Sequence, residues 1–105
     1  MEIFKYKREH EEALISAIKN DPNWDVFTNE RAIGNYRKRL LKSITYVCYE
    51  NGAFGGYVRA LPDDGFAIYI SELFVVPELR NRTIGRMLIA KVKVCLLYTS
   101  DAADE

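Results

Sequence analysis

The chain has 105 residues, 49% hydrophobic and 29% charged, and its 15 lysines and arginines balance 15 aspartates and glutamates. That length holds one small domain with a modest core, and the charge balance excludes a whole-chain field that would draw it to nucleic acid or an anionic membrane. No apolar run approaches the roughly 20 residues of a membrane span, and the opening MEIFKYKREHEE holds no signal-peptide core, so the expected location is cytoplasmic. Two cysteines without paired spacing argue against a disulfide framework or a metal site.

Residues 2–7 alternate charged and apolar side chains and read as an edge strand. Residues 8–20 carry Leu14, Ala17 and Ile18 on one helical face, and Asp21-Pro22 ends that helix. His10, the only histidine, opens it among glutamates and reads as a surface residue. Residues 23–28 form a loop with Trp24 and Phe27. Thr28 or Asn29 then caps a second helix through Lys42, with Ile33, Tyr36, Leu40 and Leu41 facing inward. Arg31, Arg37, Lys38, Arg39 and Lys42 give this helix a basic face, read as solvated rather than as a nucleic-acid surface.

Two strands, residues 44–49 and 54–60, meet at Asn51-Gly52, a tight-hairpin signal. Cys48 in the first reads as a small buried apolar residue, and Gly55-Gly56 in the second implies a bulge or a close backbone approach. Pro62-Asp63-Asp64-Gly65 turns the chain into an apolar strand over residues 68–76. A Pro77-Glu78-Leu79 corner follows, then a basic loop and a helix over residues 83–94 with Ile84, Leu88 and Val92 at helical spacing. The predicted order is β-α-α-β-β-β-α, a mixed α+β fold with a largely antiparallel sheet.

The informative stretch is ISELFVVPELRNRTIGRMLI, residues 70–89. Its loop, Arg80-Asn81-Arg82-Thr83-Ile84-Gly85-Arg86, sets three arginines and small residues where the unpaired N–H groups of a helix start point outward. Free N–H groups, the positive end of the helix dipole and added cations suit a diphosphate.

These residues resemble the acetyl-coenzyme A motif of the GNAT superfamily of N-acetyltransferases, Leu-x-Val-x-Pro-x-x-Arg-x-x-Gly-x-Gly. Leu73, Val75, Pro77, Arg80 and Gly85 fall on it in register, whereas Thr83 stands where the first glycine normally lies. Thr keeps the backbone N–H, but its branched Cβ restricts φ and crowds a ligand. The resemblance implies a GNAT-like fold over residues 1–94, with acetyl-CoA as co-substrate. It places carbonyl polarisation at the main chain of Phe74, Val75 and Val76, at a bulge. It gives phosphate cradling to the N–H groups of Asn81, Arg82, Thr83, Ile84, Gly85 and Arg86, aided by the Arg80 and Arg82 side chains. A side chain at Gly85 would crowd the pyrophosphate.

Glu72 is the general-base candidate: it breaks an apolar run just before the expected bulge, where a partly buried carboxylate takes an ammonium's proton. The other readings are a charge on a wet face or an anchor for the substrate's ammonium group. Trp24, Phe27 and Tyr36 lie where the family lines its acceptor pocket, or are simply core.

The last eleven residues, CLLYTSDAADE, resemble the translation of a transposon-end adapter used in DNA library preparation, and are set aside from the functional reading. The expectation is therefore a natural chain continuing past Val94, with the family's C-terminal strands, last helix and general-acid tyrosine missing. Tyr98 lies in the tail and is not that acid. An uncovered sheet edge and self-association follow, and the fragment is expected to be inactive. The leading function is acetyl transfer from acetyl-CoA to a primary amine of an unidentified small-molecule or peptide acceptor. The alternative is a non-catalytic acyl-CoA-binding module of the same fold, and a nucleic-acid-binding protein is a distant third. Oligomeric state stays open.

Overall fold

The computed structural model describes the backbone of residues 1–63 and 67–103, and side chains through residue 94. Four strands, β1 (Glu2–Lys5), β2 (Ile44–Glu50), β3 (Ala53–Asp63) and β4 (Ala67–Val75), form one antiparallel sheet in chain order. Four helices accompany it: α1 (Glu11–Lys19), α2 (Asp25–Thr28), α3 (Ile33–Lys42) and α4 (Ile84–Ala103). Short 3-10 turns lie at Arg8–His10, Pro22–Trp24 and Pro77–Leu79.

Strand alternation sorts the core into two layers. Val47, Tyr57 and Phe74 face α1 and α3, packing with Leu14, Ile15, Ile18 and Leu40. Their neighbours Cys48 and Val58 point the other way and meet Ile84, Leu88 and Val92 of α4. Each such aliphatic side chain stabilises the fold by roughly 1.5–3 kcal/mol when fully buried. The sheet is thus covered on both faces, and α4 leaves the end of β4 through the Pro77–Leu79 turn.

The Asn51-Gly52 hairpin forms as the sequence predicts, with φ of 53° and 80° at its two central residues; two left-handed residues are what a type I′ turn requires. Both readings of Gly55-Gly56 hold as well. Cys48 pairs with Gly56 and Tyr49 with Phe54, leaving Gly55 as the extra residue of a bulge. At Gly56 a Cβ would lie 2.4 Å from the Phe74 carbonyl oxygen, so β3 and β4 meet only because it has none.

Several local expectations need correction. His10 is buried, with 9% of its surface exposed; its Nδ1 accepts the Lys7 N–H at 3.0 Å, and its ring sits among Phe4, Tyr6 and Tyr49. The flanking glutamates misled, because the burial comes from β1 and β2. The loop expected over residues 23–28 contains α2. Asp21 accepts the Asn23 N–H and Pro22 occupies the first helical position, so the pair that ends α1 also starts the next turn. Asn29 ends α2 and shapes the turn before α3, its Oδ1 accepting the Arg31 and Ala32 N–H groups at 3.1 and 3.0 Å, whereas Ala32 rather than the expected Thr28 or Asn29 stands at the N-cap of α3. Leu41 is 46% exposed rather than inward.

Strand β3 runs on through Asp63, so Pro62 and Asp63 belong to it, and the rest of the expected turn, Asp64-Gly65, lies outside the described residues. Helix α4 continues to Ala103 through the segment where helical periodicity fades. Among the described residues no helix is long and apolar enough to cross a membrane. Strand β4 pairs with β3 on one side and forms the sheet's edge on the other, with Tyr69, Ile70 and Leu73 exposed.

Candidate active site

The turn between β4 and α4 carries an uncommon backbone. Asn81 and Thr83 sit at φ of 67° and 65°, with Arg82 between them outside the left-handed region. Among the described residues the N–H groups of Asn81, Arg82 and Thr83 make no main-chain hydrogen bond outside regular elements. The first turn of α4 adds more free donors: its helical bonding starts with the Met87 N–H on the Thr83 carbonyl. Left-handed residues alternating with ordinary ones aim successive N–H groups inward, a concavity for an anion, and the dipole of α4 adds positive potential there.

The arginines divide. Arg80 folds back, donating its Nε–H to the Val75 carbonyl at 2.8 Å, with its guanidinium 5.8 Å from the Phe74 ring centroid and 3.6 Å from Asp21. It therefore braces the strand end. Arg82 forms a two-pronged pair with Glu50 at 2.7 and 3.0 Å, although half its side chain stays exposed. Arg86 is exposed on the first turn of α4. At Gly85 a Cβ would come 3.3 Å from Leu73 Cδ2, so the glycine has a packing role beside any tolerance for a pyrophosphate.

The bulge lies elsewhere than expected. Arg59 faces Glu72 and Ala60 faces Ile70, which makes Ser71 the extra residue, whereas Phe74 and Val75 pair in regular register with Tyr57 and Gly56. The Val76 N–H is already given to the Gly55 carbonyl at 2.9 Å, so Val76 has no main-chain donor left for a substrate carbonyl. Alternation along β4 puts Glu72 on the same face as Phe74, toward Tyr36, while the bulge resets the facing of the residues before Ser71.

There Glu72 anchors a buried polar cluster; its side chain is 3% exposed, so it sits on no wet face. Oε1 accepts the Arg59 Nε–H at 2.7 Å and the Tyr36 hydroxyl at 2.5 Å, whereas Oε2 has no partner among the described residues. Tyr36 also lies 2.5 Å from the Tyr57 hydroxyl. Its single proton goes to Glu72, so Tyr57 is the donor in that contact. Burial, with the neighbouring Tyr57 and Glu72, pushes the Tyr36 hydroxyl well above the ordinary phenol range, and burial does the same to Tyr57. For Arg59 burial favours the neutral form, but the hydrogen bond and charge of Glu72 outweigh it and raise the guanidinium's pKa. Arg59 also reaches Ser43 at 2.8 Å and Ser71 at 3.1 Å.

Nothing in the sequence marked Arg59, Tyr57, Ser43 or Ser71. The i, i+2 spacing of Tyr57 and Arg59 was the one available signal, since it puts both on one strand face. Of the aromatic residues expected near an acceptor, Trp24 packs edge-on against Phe74 and Phe27 lies 4.8 Å from the Tyr36 ring. An open cavity of about 320 Å³ adjoins them, walled by Val26 and Phe27 of α2, Asn35, Tyr36 and Arg39 of α3, and Arg59 of β3. Among the described residues no cluster of three or more His, Cys, Asp or Glu side chains suits a metal ion.

A strand end feeding an N–H-rich turn and helix, above a sheet covered on both faces, is an α+β arrangement suited to holding an anion. Residues 8–94 match the family model of the acetyltransferase (GNAT) family, and the chain belongs to that family. No curated protein sequence matches it. Among solved structures it resembles the PaiA N-acetyltransferase from Thermoplasma acidophilum in complex with coenzyme A, with a TM-score of 0.79 at 13% identity, covering 92% of this chain and 72% of that one. An aminoglycoside 6′-N-acetyltransferase complexed with coenzyme A superposes at 0.78 with 15% identity, over 94% of this chain and 57% of that one. An aminoglycoside acetyltransferase from an uncultured soil metagenomic sample is 28% identical, with a TM-score of 0.69 over 90% and 72% of the two chains.

Proposed function

We propose that the protein is an acetyl-CoA-dependent N-acetyltransferase acting on a primary amine. The observation that carries this reading is the turn at Asn81, Arg82 and Thr83, whose N–H groups have no main-chain partner among the described residues and stand at the start of α4. That arrangement fits a diphosphate, and coenzyme A is the ligand named for two of the similar structures. Acetyl-CoA supplies an activated acetyl thioester.

The chain's own residues divide the work as follows. The N–H groups of Asn81, Arg82, Thr83, Ile84, Gly85 and Arg86 hold the diphosphate, and Arg82 and Arg86 add positive charge. Arg80 holds the end of β4 in place through the Val75 carbonyl. Phe74 and Val75 contribute main chain beside the reacting carbonyl. Glu72 is the candidate base: its buried Oε2, without a partner among the described residues, takes the amine's proton through an intervening water, and Arg59 and Tyr36 fix its orientation through Oε1. The family match ends at residue 94, which supports leaving residues 95–105 out of this assignment.

Acetyl-CoA titration by calorimetry tests binding, and release of free thiol in the presence of an amine panel tests turnover. We expect saturable binding that Arg82→Ala weakens, and thiol release that Glu72→Gln abolishes. Binding without turnover for any amine would favour the alternative, a non-catalytic acyl-CoA-binding module. Absence of binding would overturn both.

A further inference from the structure

The cavity between α2, α3 and β3 has a charge pattern that bears on the acceptor. Among the described residues no carboxylate lines it, whereas two guanidinium groups do. Arg39 is exposed on α3 and makes no ion pair among the described residues. Arg59 has a side chain only 10% exposed and is clamped at three points, by Glu72, Ser43 and Ser71. A guanidinium has five N–H donors, and with Tyr36 as a further partner Arg59 keeps one unused on its terminal nitrogens. Glu72 lies behind Arg59 and compensates its charge, which leaves Arg39 as the net positive charge of the cavity. Val26, Phe27 and Leu61 supply apolar wall, and Asn35 and the Tyr36 ring complete it.

From this geometry, and resting on the acetyltransferase reading above, we infer that the acceptor is an amine bearing a carboxylate on an apolar body, with the carboxylate held by Arg39 and the spare donor of Arg59. A rigid, pre-oriented guanidinium beside a second one matches a planar carboxylate, and the surrounding apolar wall takes the body of a small ligand. Polycationic acceptors are disfavoured by the same charges, since among the described residues Arg39 has no acidic neighbour in the cavity to offset it and repulsion discriminates as effectively as attraction.

The test is direct binding, read without turnover. L-phenylalanine, L-phenylalaninamide, spermidine and kanamycin are titrated into the wild-type chain by calorimetry, each with and without saturating coenzyme A. L-phenylalaninamide keeps the amine and the ring but lacks the carboxylate. L-phenylalanine is expected to bind at least about tenfold more tightly than its amide, and Arg39→Gln to remove that advantage. Spermidine and kanamycin are expected not to bind. Equal affinity for acid and amide, tighter binding of either polycation, an unchanged preference in Arg39→Gln, or no binding of L-phenylalanine at all would each overturn the inference. Failure of acetyl-CoA to bind in its own titration would instead overturn the acetyltransferase reading, while the preference for acid over amide is still read.

Discussion

Thr83 occupies a backbone conformation at φ 65° that suits glycine and penalises a β-branched residue. A left-handed L-residue costs roughly 1–2 kcal/mol, partly offset by the smaller entropy that Thr loses on folding compared with Gly. Thr83→Gly should therefore raise stability by about 1 kcal/mol, seen as a higher urea midpoint at unchanged slope, and should strengthen acetyl-CoA binding. An unmoved midpoint would show that the turn carries no such strain. Cys48 makes a second case. Burial, with the charge of Glu50 nearby, pushes its thiol from 9.0 up to about 11. The folded state thus binds this proton more tightly than the unfolded chain, so its stabilisation is complete below pH 9 and is lost as pH rises through 11. Tyr6, raised by burial from 10.0 to about 12, adds the same trend one unit higher. Denaturation midpoints should begin to fall near pH 9, and Cys48→Ala should delay that onset to about pH 10.

At the scale of elements, the contact of β3 with β4 sets the site, because it carries the bulge at Ser71 and brings Arg59 opposite Glu72. Gly56 permits that contact. Alanine there would place a Cβ 2.4 Å from the Phe74 carbonyl oxygen and 3.1 Å from Val75 Cα, and backbone on both sides has no way to yield. Gly56→Ala should cost about 3 kcal/mol or more. Gly34 on the exposed face of α3 is the internal control: nothing lies within 4 Å of an added Cβ, so Gly34→Ala should stabilise by roughly 0.5–1 kcal/mol. Denaturant unfolding of the two variants checks both signs, and a mild Gly56→Ala would mean that β3 and β4 approach less closely than described.

For the molecule as a whole, the open edge of β4 dominates behaviour. Its outer main-chain groups face no neighbouring strand among the described residues, and Tyr69, Ile70 and Leu73, with Met87 on α4, keep much of their surface exposed. An apolar edge strand of this kind pairs readily with another chain. Sedimentation should show concentration-dependent association, and Ile70→Lys, which adds a charge to that edge, should suppress it. A monomer at every concentration would contradict this account.

Much of the architecture was legible before any coordinates, because local chemistry dictates it. The Asn51-Gly52 turn, the Ile84, Leu88 and Val92 stripe and the strand-loop-helix motif over residues 73–88 all rest on neighbours in sequence, and each formed. The left-handed demand at Thr83 was visible too, as a missing glycine. Other features depended on residues far apart in the chain. His10 became buried because β1 and β2 close over it, the bulge moved to Ser71 because register is settled across strands, and Glu72 left solvent because Arg59 and Tyr36 arrive from β3 and α3. Periodicity within one element reports the faces of that element. Which charge meets which is decided only when elements pack, and the buried cluster beneath the cavity belongs to that second kind.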